Sequence, residues 1–152
     1  MPDYSLGKIY AITSGGSVYV GSTTEPTLAR RLANHRGGFN AWKKGKGGFS
    51  SAYPLIETND YSISLLELCP CTSKDELTAR ERHYVQTINC VNRNIPGRTQ
   101  QEYYRDNHDL ILQKKKTFDQ ARKDQKRAYY QANKATRKAY ALNYYYQKIK
   151  IL

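Results

Sequence analysis

Long apolar runs are missing from this 152-residue chain. No stretch approaches the roughly 18 residues that a membrane-spanning helix needs, which rules out a membrane span, and no membrane partner is expected. Residues 1–7 are followed by no apolar segment of the secretory kind. Cysteine is scarce: Cys69, Cys71 and Cys90 are an odd number and cannot complete a disulfide framework. These absences predict an intracellular protein in a reducing compartment, not a secreted one. Acid is short as well. Thirteen Asp/Glu stand against 25 Lys/Arg, a net of +12, which calls for a polyanionic partner and says nothing of fold. Glycine and proline do not occur after Gly97, so nothing there interrupts a helix.

What is present is unevenly spread. Residues 1–100 hold 12 Lys/Arg and 8 Asp/Glu, a net of +4, whereas residues 101–152 hold 13 and 5, a net of +8. The last third also carries 8 of the 14 tyrosines. Asn94-Ile95-Pro96-Gly97-Arg98 breaks regular structure between the two parts. The length suits one small domain with an appendage, here residues 1–96 followed by a tail over 97–152. The tail repeats weakly with period eleven: Phe118, Tyr129 and Tyr140 align, as do Lys123 with Lys134, Lys126 with Arg137, and Arg127 with Lys138. Eleven residues make three helical turns, so aligned residues share nearly one face. A long basic helix, or helices, with a cationic stripe would meet phosphates, and its tyrosines could stack on bases.

The first part reads as α/β. Lys8–Thr13 and Val18–Ser22 are strand-like, joined through Gly15-Gly16 as a two-residue turn. That turn pairs Thr13 with Val18 and Ile12 with Tyr19, and it sets Tyr10 diagonally across from Tyr19 on one face. Ile9, Ala11, Val18 and Val20 take the other. Pro26 and Gly37-Gly38 frame a helix of about three turns whose stripe is Leu28 and Leu32, flanked by Arg31 and His35. The stretch from Gly38 to Ser51 reads as a flexible basic loop with Lys43, Lys44 and Lys46. Trp42 in it is a packing residue or a minor DNA contact. Residues 61–68 read as a third, mostly buried strand.

Ser73 and Glu76 form a capping box that starts another helix. Its stripe is Leu77, Tyr84, Val85 and Ile88, and Glu81 falls on it. A carboxylate facing a core is costly unless paired, protonated or metal-bound. The alternative is that Glu81 turns to solvent or pairs with Arg82. Cys69, Cys71, His83 and Cys90 match no common zinc spacing.

Taken together, these segments resemble the GIY-YIG nuclease family. Lys8-Ile9-Tyr10 resembles the first signature, with Lys where the family name has Gly, and Val18-Tyr19-Val20-Gly21 resembles the second. Leu28-x-x-Arg31-Leu32-x-x-His35 is similar to the family's first helix. Residues 80–85 are similar to the helix bearing its metal-binding Glu, and Cys90-Val91-Asn92 to its closing segment, with Asn92 better spaced than Asn89 or Asn94. Residues 97–107 and the basic repeats resemble tails of phage and large-DNA-virus members, which would place the protein in a host cytoplasm or nucleus.

The resemblance implies a small three-stranded, mainly antiparallel sheet flanked by helices, followed by the basic helical tail. It implies metal-dependent hydrolysis of DNA phosphodiesters of the homing or mobile-element kind. The alternatives are a repair, recombination or restriction nuclease and an inactive DNA- or RNA-binding protein. Glu81 would hold one Mg2+ (or Mn2+) ion. Tyr19 would orient or deprotonate water with Tyr10 as its partner, Arg31 would stabilise phosphate charge, and His35 would position phosphate or relay a proton. For Tyr19 to act as a base, the metal, Arg31 and low dielectric would have to lower its pKa. Products would carry 3′-hydroxyl and 5′-phosphate ends. Arg30, Arg36, Lys43, Lys44 and Lys46 of the first part, with Arg98, Lys123, Lys126, Arg127, Lys134, Arg137 and Lys138 of the tail, are the expected DNA contacts. Oligomeric state, monomer or transient dimer on DNA, is left open.

Overall fold

A computed structural model describes residues 2–149. The chain divides into two compact units, with the division between Thr99 and Gln100.

The first unit opens with a 3-10 turn over Tyr4–Leu6 and the hairpin β1 (Lys8–Ser14) and β2 (Ser17–Thr23). Gly15 and Gly16 turn it with φ of 53° and 80°, a conformation open to glycine at both central positions. The register is the one the turn dictates: Thr13 opposite Val18, Ile12 opposite Tyr19, and Tyr10 opposite Gly21. Helices α1 (Leu28–Lys43) and α2 (Tyr53–Glu57) follow, then β3 (Ser62–Leu68) and α3 (Lys74–Thr87). The sheet is antiparallel throughout, in the order β2-β1-β3, with a register shift between Ile9 and Tyr10 against β3.

Alternation along β1 divides the core in two. Tyr10 and Ile12 meet Leu32, Phe39, Tyr53, Leu55 and Ile56 from α1 and α2. Ile9 and Val20 meet Leu77 of α3 on the other face. Tyr10, Ile9, Ile12 and Val20 are fully buried; for the aliphatic three this is worth roughly 1.5–3 kcal/mol each. The central strand is therefore buried on both faces.

Two expectations are corrected here. Helix α1 does not stop at Gly37-Gly38 but runs on to Lys43, so the basic loop is shorter and Lys43 lies on the helix. A Cβ at Gly38 would lie 2.7 Å from the Tyr53 hydroxyl oxygen. Gly38 is thus a notch for α2, and the extension carries Phe39 and Trp42 onto Tyr53. Strand β3 is not mostly buried. It is an edge strand, with Leu65 at 45% and Leu68 at 63% exposure. Its apolar run suggested a central strand, but β1 takes the centre.

Half of the capping box forms: the Ser73 side chain accepts from the Glu76 main-chain N–H. The Glu76 carboxylate turns instead to the main-chain N–H and hydroxyl of Thr72.

The second unit consists of α4 (Gln100–Asp106) and α5 (His108–Ile149), with the break at Asn107. At 1.5 Å per residue, the 42 residues of α5 extend about 63 Å. It buries no residue. Lys123, Lys126, Arg127, Lys134, Arg137 and Lys138 are all exposed along it. No described helix is long and apolar enough to cross a membrane.

Candidate active site

The site is built around Tyr10, which has no exposed surface. Its hydroxyl lies 2.7 Å from His35 Nε2 and accepts from Arg31 Nε at 2.9 Å. Arg31 and His35 are one turn apart on α1, so both lean onto the strand face that carries the phenol. Thr27 anchors that helix by accepting from the Arg30 N–H. Tyr19 completes the cluster, its ring edge-on to His35 with centroids 5.6 Å apart. Gly21 makes room for both phenols: a Cβ there would lie 2.5 Å from the Tyr10 hydroxyl oxygen and 3.1 Å from the Tyr19 ring. The glycine of the second motif is therefore a packing requirement of the two tyrosines.

Glu81 arrives from α3, which packs on the opposite face of the sheet. Because β2 is an edge strand, groups from both faces converge at its rim. The Ser22 hydroxyl donates to Glu81 Oε2 at 2.5 Å. Glu81 neither turns fully to solvent nor pairs with Arg82. It is half-buried and lies within electrostatic reach of Arg31, Tyr10 and Tyr19.

Burial governs the electrostatics. It holds His35 down to about 4, with Arg31 adding to the effect, so the imidazole is neutral at pH 7. Burial pushes Glu81 above the usual carboxylate range, partly offset by Ser22 and Arg31. Both phenols are raised, chiefly by burial, and Arg31 only partly counteracts this. This corrects the expectation that low dielectric would help to lower a tyrosine pKa: leaving water disfavours the charged phenolate. The protein groups by themselves keep Tyr10 and Tyr19 protonated.

Asn92 lies next to these groups in space and is tied to the main chain of β2. Its Oδ1 accepts from the Val20 N–H at 2.9 Å and its Nδ2 donates to the Val20 carbonyl at 2.8 Å. It supplies the pairing that the outer edge of β2 lacks, and the Val91 N–H adds a bond to the Val18 carbonyl. Lys8, which replaces the first glycine, ties β1 to the loop after β2 by donating to the Leu6 and Glu25 carbonyls.

Two hollows share Glu81 and Pro96. One, of about 410 Å³, is lined also by Tyr19, Phe49, Ser50, Ser51, Asn92 and Arg93. The other, of about 400 Å³, includes Ser22 and Arg31. Spacing and motif pointed to neither Ser22, Ser50 nor Arg93. Ser22 alone had a signal, as the residue after Gly21 and so on the α3 face of β2.

Among the expected contacts outside the cluster, Arg30 pairs with Glu25 at 2.9 Å and Lys43 with Glu57 at 3.1 Å. Arg36 lies over Tyr61, and Lys44 and Lys46 are exposed just past α1. Arg98 is half-buried. Trp42 packs among Phe39, Phe49 and Tyr53.

No group of three or more His, Cys, Asp or Glu side chains gathers to hold a metal among the described residues. The donors at Glu81 nonetheless suit a hard cation. They are oxygens, one carboxylate and one hydroxyl, beside open hollows, and Mg2+ keeps most of its water.

No curated protein and no solved structure matches the chain. A family model described as the GIY-YIG catalytic domain matches residues 6–94, from just before β1 to just past Asn92. That stretch is more than half of the chain and holds every residue of the cluster, so the protein belongs to the GIY-YIG family, a nuclease family that is generally dependent on divalent metal.

Proposed function

We propose that the protein is a metal-dependent DNA endonuclease that works inside the cell. The observation that carries this reading is the convergence of Tyr10, Tyr19, Arg31, His35 and Glu81, from four separate elements, on one rim of the sheet. A core built only for stability has no reason to gather two phenols, a guanidinium, a neutral imidazole and a desolvated carboxylate there.

Glu81, supported by Ser22, would hold one Mg2+ or Mn2+ ion, which supplies charge neutralisation at the phosphate. Tyr19 orients the attacking water as a hydrogen-bond acceptor. Its own proton stays on the phenol, since burial disfavours a standing phenolate. Tyr10 is the fixed partner, held between Arg31 and His35. Arg31 meets the charge that develops on the phosphate oxygens. His35, neutral, receives or passes a proton at Nε2. The water oxygen bonds phosphorus as the P–O3′ bond breaks, and a proton given up by that water ends on O3′, leaving 3′-hydroxyl and 5′-phosphate ends. Asn92 acts on structure, fixing the rim on which Tyr19 sits.

The tail, with net charge +8 over 101–152 and no buried residue along α5, adds affinity for DNA backbone. Its basic Tyr/Asn-rich repeats favour a mobile-element nuclease of phage or large-DNA-virus type. The second reading, a structure-specific repair or recombination nuclease, uses the same site and differs in substrate. Incubating the protein with supercoiled plasmid and, in parallel, with four-way junctions and flaps, with Mg2+ or with chelator, separates the two. Plasmid nicking or linearisation that chelator stops supports the first. Cleavage confined to branched substrates selects the second, and no cleavage of any DNA rejects both.

A further inference from the structure

We infer that Arg93 is a second phosphate-binding residue, holding the substrate strand on the opposite side of Glu81 from Arg31. The inference rests on the nuclease reading above and adds the path of the strand. Glu81 lines both hollows of the site, whereas Arg31 lines only one and Arg93 only the other. A strand crossing Glu81 thus has one arginine before the carboxylate and one after it.

Arg93 is poised for this in three respects. Its backbone is fixed. Asn92 is clamped to Val20 by two hydrogen bonds, Val91 bonds Val18, and the Arg93 N–H donates to Ser51 Oγ at 3.1 Å. Its guanidinium centre lies 4.4 Å from the centroid of the Phe49 ring, and Phe49 is braced edge-on by Trp42 and Tyr53. A guanidinium lying on an aromatic ring is held in place yet keeps its N–H groups for an anion. It also has no carboxylate: among the described residues Arg30, Lys43 and Arg80 each pair with a Glu, and no ion pair takes Arg93. A fixed, exposed cation with no carboxylate partner lacks a counter-charge, and a phosphodiester supplies one bidentately. The alternative, an arginine that only shields Phe49 from water, predicts no coupling to DNA.

The test uses the full chain and the variants R93A, R93K and F49L. Thermal melts show that each is folded. Steady-state cleavage with Mg2+ gives kcat and KM, and a salt titration of binding without metal gives the number of phosphates engaged. R93A should raise KM about tenfold or more and leave kcat within about threefold, the signature of lost substrate binding. Its slope of log affinity against log salt should be shallower by about 0.9, one phosphate on duplex DNA. R93K should recover the slope but not the whole of KM, because Lys cannot bind bidentately. F49L should fall between. An R93A protein with unchanged KM and slope overturns the assignment, as does a fall in kcat at constant KM. If the wild-type protein cuts no DNA, the nuclease reading fails, and the metal-free slope still decides whether Arg93 meets a phosphate.

Discussion

Tyr10 and Tyr19 lie side by side, yet the two residues are not equivalent. Tyr10 is buried and its oxygen satisfies Arg31 Nε and His35 Nε2. Tyr10→Phe strands these groups and should cost about 1–3 kcal/mol of stability as well as activity. Tyr19 keeps some exposure, so Tyr19→Phe should melt nearly like the wild type while cutting at least about a hundredfold more slowly. Melting curves beside single-turnover rates check the contrast; equal melting of the two variants would contradict it. Glu81→Gln keeps volume and removes charge. It should abolish Mg2+-dependent cleavage and leave DNA binding and melting nearly intact, and more than a few per cent of residual cleavage would deny Glu81 the metal.

His35 sets a pH dependence. Unfolded, the imidazole takes a proton below about 6.5; folded, it resists protonation until about 4. Between those values the unfolded chain binds more protons, so this contribution to stability is lost as pH falls, on the order of 2–3 kcal/mol across the window. Glu81, raised by burial, works in the opposite direction. The informative measurement is therefore the difference in melting temperature between the wild type and His35→Gln from pH 7 to 4, which should narrow or reverse as pH drops. A constant difference would show that His35 titrates normally.

At the scale of elements, the adjacent glycines of α1 separate propensity from packing. Gly37 faces open space, whereas a Cβ at Gly38 meets the Tyr53 hydroxyl. Gly37→Ala should stabilise the protein by up to about 1 kcal/mol, the helix-interior difference between the two residues. Gly38→Ala should destabilise by about 1–3 kcal/mol through overpacking, and Tyr53→Phe should restore much of that loss by removing the clashing oxygen. Denaturant titration of the two single variants and the double mutant measures the coupling. Equal effects at 37 and 38 would mean that α2 gives way. The edge strand β2 shows the same priority of packing over local preference. Its outer edge is covered by one amide side chain and one main-chain bond, from Asn92 and Val91, rather than by a fourth strand.

For the whole molecule, the proposed function divides chemistry from affinity along the chain. Every residue of the cluster lies before Arg93, and the segment after residue 100 carries twice the net charge of the rest. Deleting 101–152 should weaken DNA binding and flatten its salt dependence, the slope falling by about 0.9 for each duplex phosphate that the tail neutralises. Mg2+-dependent cutting should persist at high enzyme concentration. An unchanged salt slope would show that the tail does not touch DNA.

Local signals carried much of this. Gly15-Gly16 determined the hairpin register, and with it the juxtaposition of Tyr10 and Tyr19, because a two-residue turn admits one pairing. Ser73 determined where α3 starts, and helical periodicity marked Glu81 as a carboxylate on an apolar stripe. Period and capping are properties of a few neighbouring residues, so they can be read in one dimension. Only the tertiary structure decided that α1 continues through two glycines, because the extension packs Phe39 and Trp42 on Tyr53, fifteen positions beyond Gly38, whose oxygen takes the place of a Cβ there. Only it decided that burial raises both phenols, that Ser22 steadies Glu81, and that Asn92 serves the main chain of β2. Desolvation and close approach depend on what the rest of the chain brings alongside, and no local pattern encodes that.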